Sequence, residues 1–178
     1  MSKVRSAPLP VKLFIGMISR EVSLFERLKD ELQKLYGPLD MQSPVWDWAH
    51  TDYYLNEMGE GLKRQFIFFK ELIDPGAVSA IKLKTIELEN QHLNENKGRW
   101  INIDPGYLDS ARVVLVSAKD FSHRVYIGNS IYAEATLVYS GNNYQTMPYT
   151  YPDFMTDKCF ELFKKARALY KEAAGQRP

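Results

Sequence analysis

The order of residues predicts an α+β domain: a ferredoxin-like βαββαβ unit extended by further antiparallel strands and a C-terminal helix, with the helices mainly on one sheet face. Three observations carry this. An apolar run at 11–18 passes directly into a helical repeat. Two strand-like segments, a helical segment and another strand then follow in the order of a split βαβ unit. Short strand patterns separated by Gly and Asn turns continue to a final amphipathic stretch. No repeat, low-complexity tract or linker interrupts the 178 residues, so they read as a flexible arm, 1–10, and one domain, 11–174.

Pro8 and Pro10 keep the arm out of regular pairing. Residues 11–18 (VKLFIGMI) are apolar enough for a strand buried on both faces. Ser19 or Ser23 is placed to cap a helix ending at Tyr36, with Leu24, Phe25, Leu28, Leu32 and Leu35 on one stripe and Gly37-Pro38 as its stop. Residues 43–55 alternate as a strand, and 64–73 form the next one. Asp74-Pro75 has the form of an N-cap with proline at the first helical position. Over 76–94 a stripe of Val78, Ile81, Thr85, Leu88 and His92 favours a helix, although Ile81-Lys82-Leu83-Lys84 also alternates like a short strand. A strand at 100–103 is expected to enter a turn at Asp104-Pro105-Gly106. Residues 111–117 are apolar on both faces and belong in the sheet centre. Residues 123–127 and 131–139 form a hairpin, 140–151 a polar aromatic loop, and 154–174 an amphipathic helix.

Composition excludes several function classes. With 23 basic and 22 acidic residues there is no basic excess for tracking a phosphate backbone, so nucleic acid is not the expected partner. No apolar run reaches the ~18 residues of a membrane span, and the first residues lack a secretory pattern. The expected setting is cytoplasmic. Cys159, the lone cysteine, lies in an apolar helical pattern and reads as a buried, inert thiol.

Polar chemistry concentrates between Asn102 and Glu134. A three-residue loop, Gly128-Asn129-Ser130, would pair Ile127 with Ile131, Tyr126 with Tyr132 and Arg124 with Glu134. Arg124, Tyr126, Tyr132, Glu134 and Thr136 then share one face, while Val125, Ile127, Ile131, Ala133, Ala135 and Leu137 share the core face. Such a face is also what an ordinary solvated sheet presents, at about 0.2–1 kcal/mol per cross-strand pair. Asp104 and Lys119 lie at neighbouring strand ends.

Recognised catalytic motifs are missing. The chain has no GxxxxGK[ST] loop and no GxGxxG opening a helix after a strand, and Ser117-Ala118-Lys119-Asp120 lacks a residue of the guanine-reading N/T-K-x-D pattern. Orthodox GTPase chemistry is therefore not expected. His50, His92 and His123 are too dispersed for a zinc set. Magnesium (Mg) is the metal that Asp104, Glu134 or Glu57 could hold, since it needs only one or two carboxylates plus substrate phosphates. No cofactor is otherwise indicated.

Several stretches resemble a bacterial family recorded only as a domain of unknown function, some members of which carry the label "GTP-binding protein". They are PVKLFIGM (10–17), TDYYLNEMG (51–59), IKLKT (81–85), NIDPGYL (102–108), LVSAKD (115–120), HRVYI (123–127), IYAEATL (131–137) and TYPDF (150–154). Where family members have Thr-Asn, this chain has Thr85-Ile86. The resemblance implies no activity, substrate or catalytic residue.

The expectation from the residues is a pocket on the sheet for a small anionic molecule, such as a nucleotide or phosphorylated metabolite, with turnover left open. Lys82, Lys119 and Arg124 would meet the anion, and Arg124 suits bidentate recognition. Asp104, His123 and Glu134 would be the acid–base groups, and Tyr53, Tyr107, Tyr126 and Tyr132 the walls. The alternative is a non-catalytic module that binds a protein partner or single-stranded RNA through an aromatic sheet face. Nothing in the sequence sets the oligomeric state.

Overall fold

Strand β1 (Val11–Ser19) is buried at every position, as a strand covered on both faces must be. In the computed structural model, which describes residues 7–49 and 54–175 apart from the side chain of Asn56, its residues divide by parity. Leu13, Ile15 and Met17 pack with α1 (Ser23–Tyr36) and α3 (Val78–Asn90). Phe14 packs on the opposite side with Phe163 of α4 (Asp157–Gly175), ring centroids 5.0 Å apart. The sheet thus lies between two helices on one face and one on the other. Residues 1–6 of the expected arm lie outside the described residues, and residues 7–10 form no helix or strand.

The remaining strands are β2 (Leu39–Gln42), β3 (Trp46–Asp47), β4 (Lys63–Ile73), β5 (Ile101–Leu108), β6 (Arg112–Ser117), β7 (Val125–Gly128), β8 (Ile131–Ser140) and β9 (Asn143–Thr146). Their order is β2-β4-β1-β5-β6-β8-β7, with β3 beside β4 and β9 beside β8. Every pairing described is antiparallel. The block β2-β4-β1-β5, with α1 and α3 on one face, is the ferredoxin-like unit, and β6, β8, β7 and β9 extend it. No helix among the described residues is long and apolar enough to cross a membrane.

Several elements differ from the sequence reading. The second strand of the unit is β2 rather than 43–55, where only Trp46–Asp47 pairs and Leu55–Met58 is a short helix, α2. Ser43 and Pro44 explain the break: the Ser43 hydroxyl accepts from Phe66 N at 2.9 Å in place of a ladder bond, and Pro44 has no N–H to give. Helix α1 has Val22 at its N-cap and no side-chain cap; the Ser19 hydroxyl accepts from Glu21 N and donates to Trp100 O instead. The Asp74 cap forms as expected, accepting from Gly76 N at 2.7 Å, and 78–90 is helical.

Asp104-Pro105-Gly106 is part of strand β5 rather than the expected turn. The three residues pair with Gly16, Ile15 and Phe14 of β1. Strand β6 joins β5 only from Gly106 onward, at Gly106–Leu115, so Pro105 sits where β5 has a single neighbour. Gly106 is required by packing: a Cβ there would come within 2.5 Å of the Phe14 ring and 2.4 Å of Val114 O.

The hairpin keeps Tyr126 opposite Tyr132 and Val125 opposite Ala133, but Gly128 rather than Ile127 pairs with Ile131. The loop is Asn129-Ser130, both at positive φ (55° and 57°), and Ile127 is taken up in a bulge. Val125 is exposed rather than buried, because β7 is the last strand and the core cluster beneath the hairpin reaches only Ile127. A second bulge, at Thr136 on β8, moves Leu137 onto the α4 face, away from Ala133 and Ala135.

Candidate functional site

Because the β5–β6 ladder stops at Gly106–Leu115 while β5 continues back to Ile101 and β6 on to Ser117, the two strands form a fork. One prong carries Asp104. The other carries Ser117 and leads into residues 118–124. Asp104 lies opposite Gly16, whose parity with Phe14 puts both on the α4 face. Glu134, opposite Leu115, lies on that face too. Helix α4 covers the apolar part of the face, and the fork holds its polar part.

On the β5 prong the polar groups form a relay. Arg99 makes a double contact with Glu57 of α2, Nε–Oε1 2.6 Å and Nη2–Oε2 2.9 Å, and its Nη1 reaches Glu89 Oε2 and Asn102 Oδ1. With the Asn102 oxygen so engaged, its amide nitrogen donates to Asp104 Oδ2. Lys82, buried on α3, donates to Ile103 O at 3.0 Å and Asp104 Oδ1 at 2.9 Å. Each Asp104 oxygen is therefore held by one donor, while its side chain keeps 31 % exposure. Burial pushes the Asp104 carboxyl up, but Lys82, Arg64 and Asn102 together outweigh it and hold the group below the usual carboxylate range. Glu89, deeper and bonded to Ile103 N, goes the other way, because burial outweighs Lys82 and Asp104 adds repulsion.

Arg64 completes this side. It pairs with Ile18 across the ladder, stacks over the Phe66 ring at 4.4 Å, and bonds Asp153 through Nη1 at 2.9 Å. A Cβ on Gly16 would meet Arg64 Nη2 at 2.7 Å, so the missing side chain is what lets the guanidinium lie across β1 beside Asp104.

On the other prong, Glu134 accepts from Arg124 Nε at 2.7 Å and from Thr136 Oγ1 at 2.9 Å, and His123 Nε2 lies 2.9 Å from Oε2. A carboxylate offers only acceptors, so that ring nitrogen carries the proton. The His123 ring stacks on Tyr149 at 4.2 Å. Arg124 also reaches Ser117 Oγ, Lys119 O and Tyr151 Oη. Tyr151 joins the prongs electrostatically: burial raises it, Arg124 opposes, and Glu134 and Asp104 both raise it further. Tyr54 packs on Trp48, ring centroids 5.5 Å apart, with the Arg99 guanidinium 5.9 Å from its ring, and its hydroxyl is raised by burial and then by Asp104.

The fork thus gathers Asp104, His123, Arg124 and Glu134, with Lys119 contributing its carbonyl and a charge that helps hold Glu57 low. Lys82 is present as the buried support of Asp104. Tyr126 and Tyr132 form a T-shaped pair, centroids 5.6 Å apart, at the outer edge. Tyr107 faces the other way, against the cluster around Val78 and Val114. Tyr53 lies outside the described residues.

Arg64, Arg99, Tyr151 and Gly16 are not among the residues expected from the sequence. A lone glycine in an apolar strand and a lone arginine at even spacing before Phe66 and Phe68 were the available signals. Among the described residues no group of three or more His, Cys, Asp or Glu could hold a metal. The carboxylates considered for magnesium each already face a protein cation: Asp104 with Lys82, Glu57 with Arg99, Glu134 with Arg124.

A protein-family model described as a domain of unknown function, DUF4416, matches residues 9–170. The chain belongs to this family. The DUF4416 match spans all nine strands and both prongs of the fork. No match accompanies it among the curated proteins or the solved structures.

Proposed function

We propose that the fork binds a small anionic molecule, a nucleotide or phosphorylated metabolite. The observation that carries this reading is the basic cluster at the polar end of the α4 face: Arg64 and Arg124, buried and oriented by Asp153 and Glu134, with the exposed Lys119 two residues after Ser117. Guanidinium groups set in fixed geometry suit phosphate and carboxylate oxygens. The His123–Glu134 pair stands at the same place as the acid–base pair for any turnover. A cytoplasmic setting agrees with the single buried thiol, which burial pushes far above the ordinary cysteine range.

The interaction-module reading has less to stand on. Phe14, Phe66 and Phe68 of the sheet lie under α4, so the exposed rings are Phe121, Tyr126 and Tyr151 around the hairpin and its neighbouring loops rather than a continuous aromatic face.

A thermal-shift titration of the full chain with inorganic phosphate, nucleotides and sugar phosphates, with and without magnesium, tests the proposal. A ligand at 100 times its Kd stabilises by about 2.7 kcal/mol. The expected result is a saturable rise in Tm for at least one phosphate-bearing compound, weakened severalfold in Lys119→Ala, a change at an exposed side chain. A flat response across the panel overturns it.

A further inference from the structure

The relay behind Asp104 does more than neutralise it. A carboxylate has about four lone-pair positions. Lys82 Nζ occupies one on Oδ1 and Asn102 Nδ2 one on Oδ2, so each oxygen retains an acceptor position on a side chain that is still 31 % exposed. The orientation is fixed from behind: Arg99 engages the Asn102 oxygen at 2.9 Å, which turns the amide nitrogen toward Asp104, and Arg99 is itself gripped by Glu57 and Glu89. Two parallel acceptors held this way suit two neighbouring donors.

The surrounding charges decide which donors. Lys82 bonds Asp104 directly, and Arg64, itself paired with Asp153, lies over the adjacent Gly16. Lys82 already balances the Asp104 charge, so an ammonium group brought there would meet that cation with no uncompensated carboxylate to repay it, whereas a pair of hydroxyls needs only the remaining acceptor positions. The same hydroxyl oxygens can accept from the Arg64 guanidinium. We propose that Asp104 is a specificity-determining residue that selects anionic ligands bearing a vicinal diol, so that the substrate class is sugar phosphates and ribonucleotides. This rests on the anion-binding reading above. In that arrangement the diol lies on the β5 prong, and the phosphate faces Arg124 and Lys119 on the β6 prong.

Isothermal titration of the wild-type chain with ribose 5-phosphate, 2-deoxyribose 5-phosphate and inorganic phosphate separates the two claims. The expected result is ribose 5-phosphate at least tenfold tighter than its 2-deoxy analogue, with the analogue close to phosphate. In Asp104→Asn that ratio collapses toward one while phosphate binding is retained. Should the variant not fold, the wild-type ratio decides alone. Equal affinities for all three compounds overturn the diol assignment and leave the anion site standing. A preference that persists in folded Asp104→Asn removes Asp104 from the assignment. Absence of binding by any of the three overturns both the anion site and this inference.

Discussion

Glu134 takes three donors on two oxygens while its side chain is 2 % exposed, and Arg124 beside it is 6 % exposed. That burial decides what the pair is worth. A solvated cross-strand pair contributes about 0.2–1 kcal/mol, but removing one partner of a buried pair leaves a charge without compensation and costs about 3–5 kcal/mol. Arg124→Ala is therefore expected to lower the unfolding free energy in urea by roughly that larger amount. Asp104 gives a pH dependence. Its folded pKa lies below the ordinary 3.8, so its stabilisation is complete above that pH and is lost as pH falls through the lower folded value. The advantage of wild type over Asp104→Asn should accordingly shrink as urea denaturation is repeated from pH 5 downward, and an advantage that grows on acidification would contradict the assignment.

At the scale of elements, the fork is the feature on which the site depends, and it is also where local sequence rules misled. Asp-Pro-Gly is a turn signal by composition, yet Asp104-Pro105-Gly106 runs straight because the Phe14 ring fills the space over Gly106 and β1 supplies a full ladder. Tertiary packing overrode local preference. A Gly106→Ala change should cost about 1–3 kcal/mol through overpacking against Phe14 and Val114. Helices α1 and α4 were legible because their apolar stripes are long, α3 only in part because Ile81-Lys82-Leu83-Lys84 also alternates like a strand, and the Tyr126–Tyr132 pairing was legible from face segregation. The bulges at Ile127 and Thr136 were not, since a one-residue insertion leaves no mark in an alternating pattern. Ser130 pays for the two-residue loop with a left-handed conformation, so Ser130→Gly is expected to stabilise the protein by about 0.5–1 kcal/mol in the same urea assay.

For the molecule as a whole, the C-terminal helix turns a two-layer ferredoxin-like unit into three layers. Phe163 makes the central contacts, with Phe14, Phe66, Phe68 and Phe154 within 5.0–5.7 Å by ring centroid. Its replacement by Ala should cost about 3–5 kcal/mol. This third layer confines the polar part of the α4 face to the fork, where Tyr149, Tyr151 and Asp153 meet His123, Arg124 and Arg64. The sequence located the cluster of His123, Arg124 and Glu134 because those residues are close along the chain. It could not join them to Arg64, Tyr54 and Asp104, which come from strands and a helix brought together only by the sheet order. The central claim is that this junction binds an anionic small molecule. Backbone amide NMR during titration with ribose 5-phosphate tests it most directly. Saturable shifts confined to Gly16, Arg64, Asp104, Ser117–Arg124 and Glu134 are predicted, and no shifts, or shifts centred away from the fork, would contradict it.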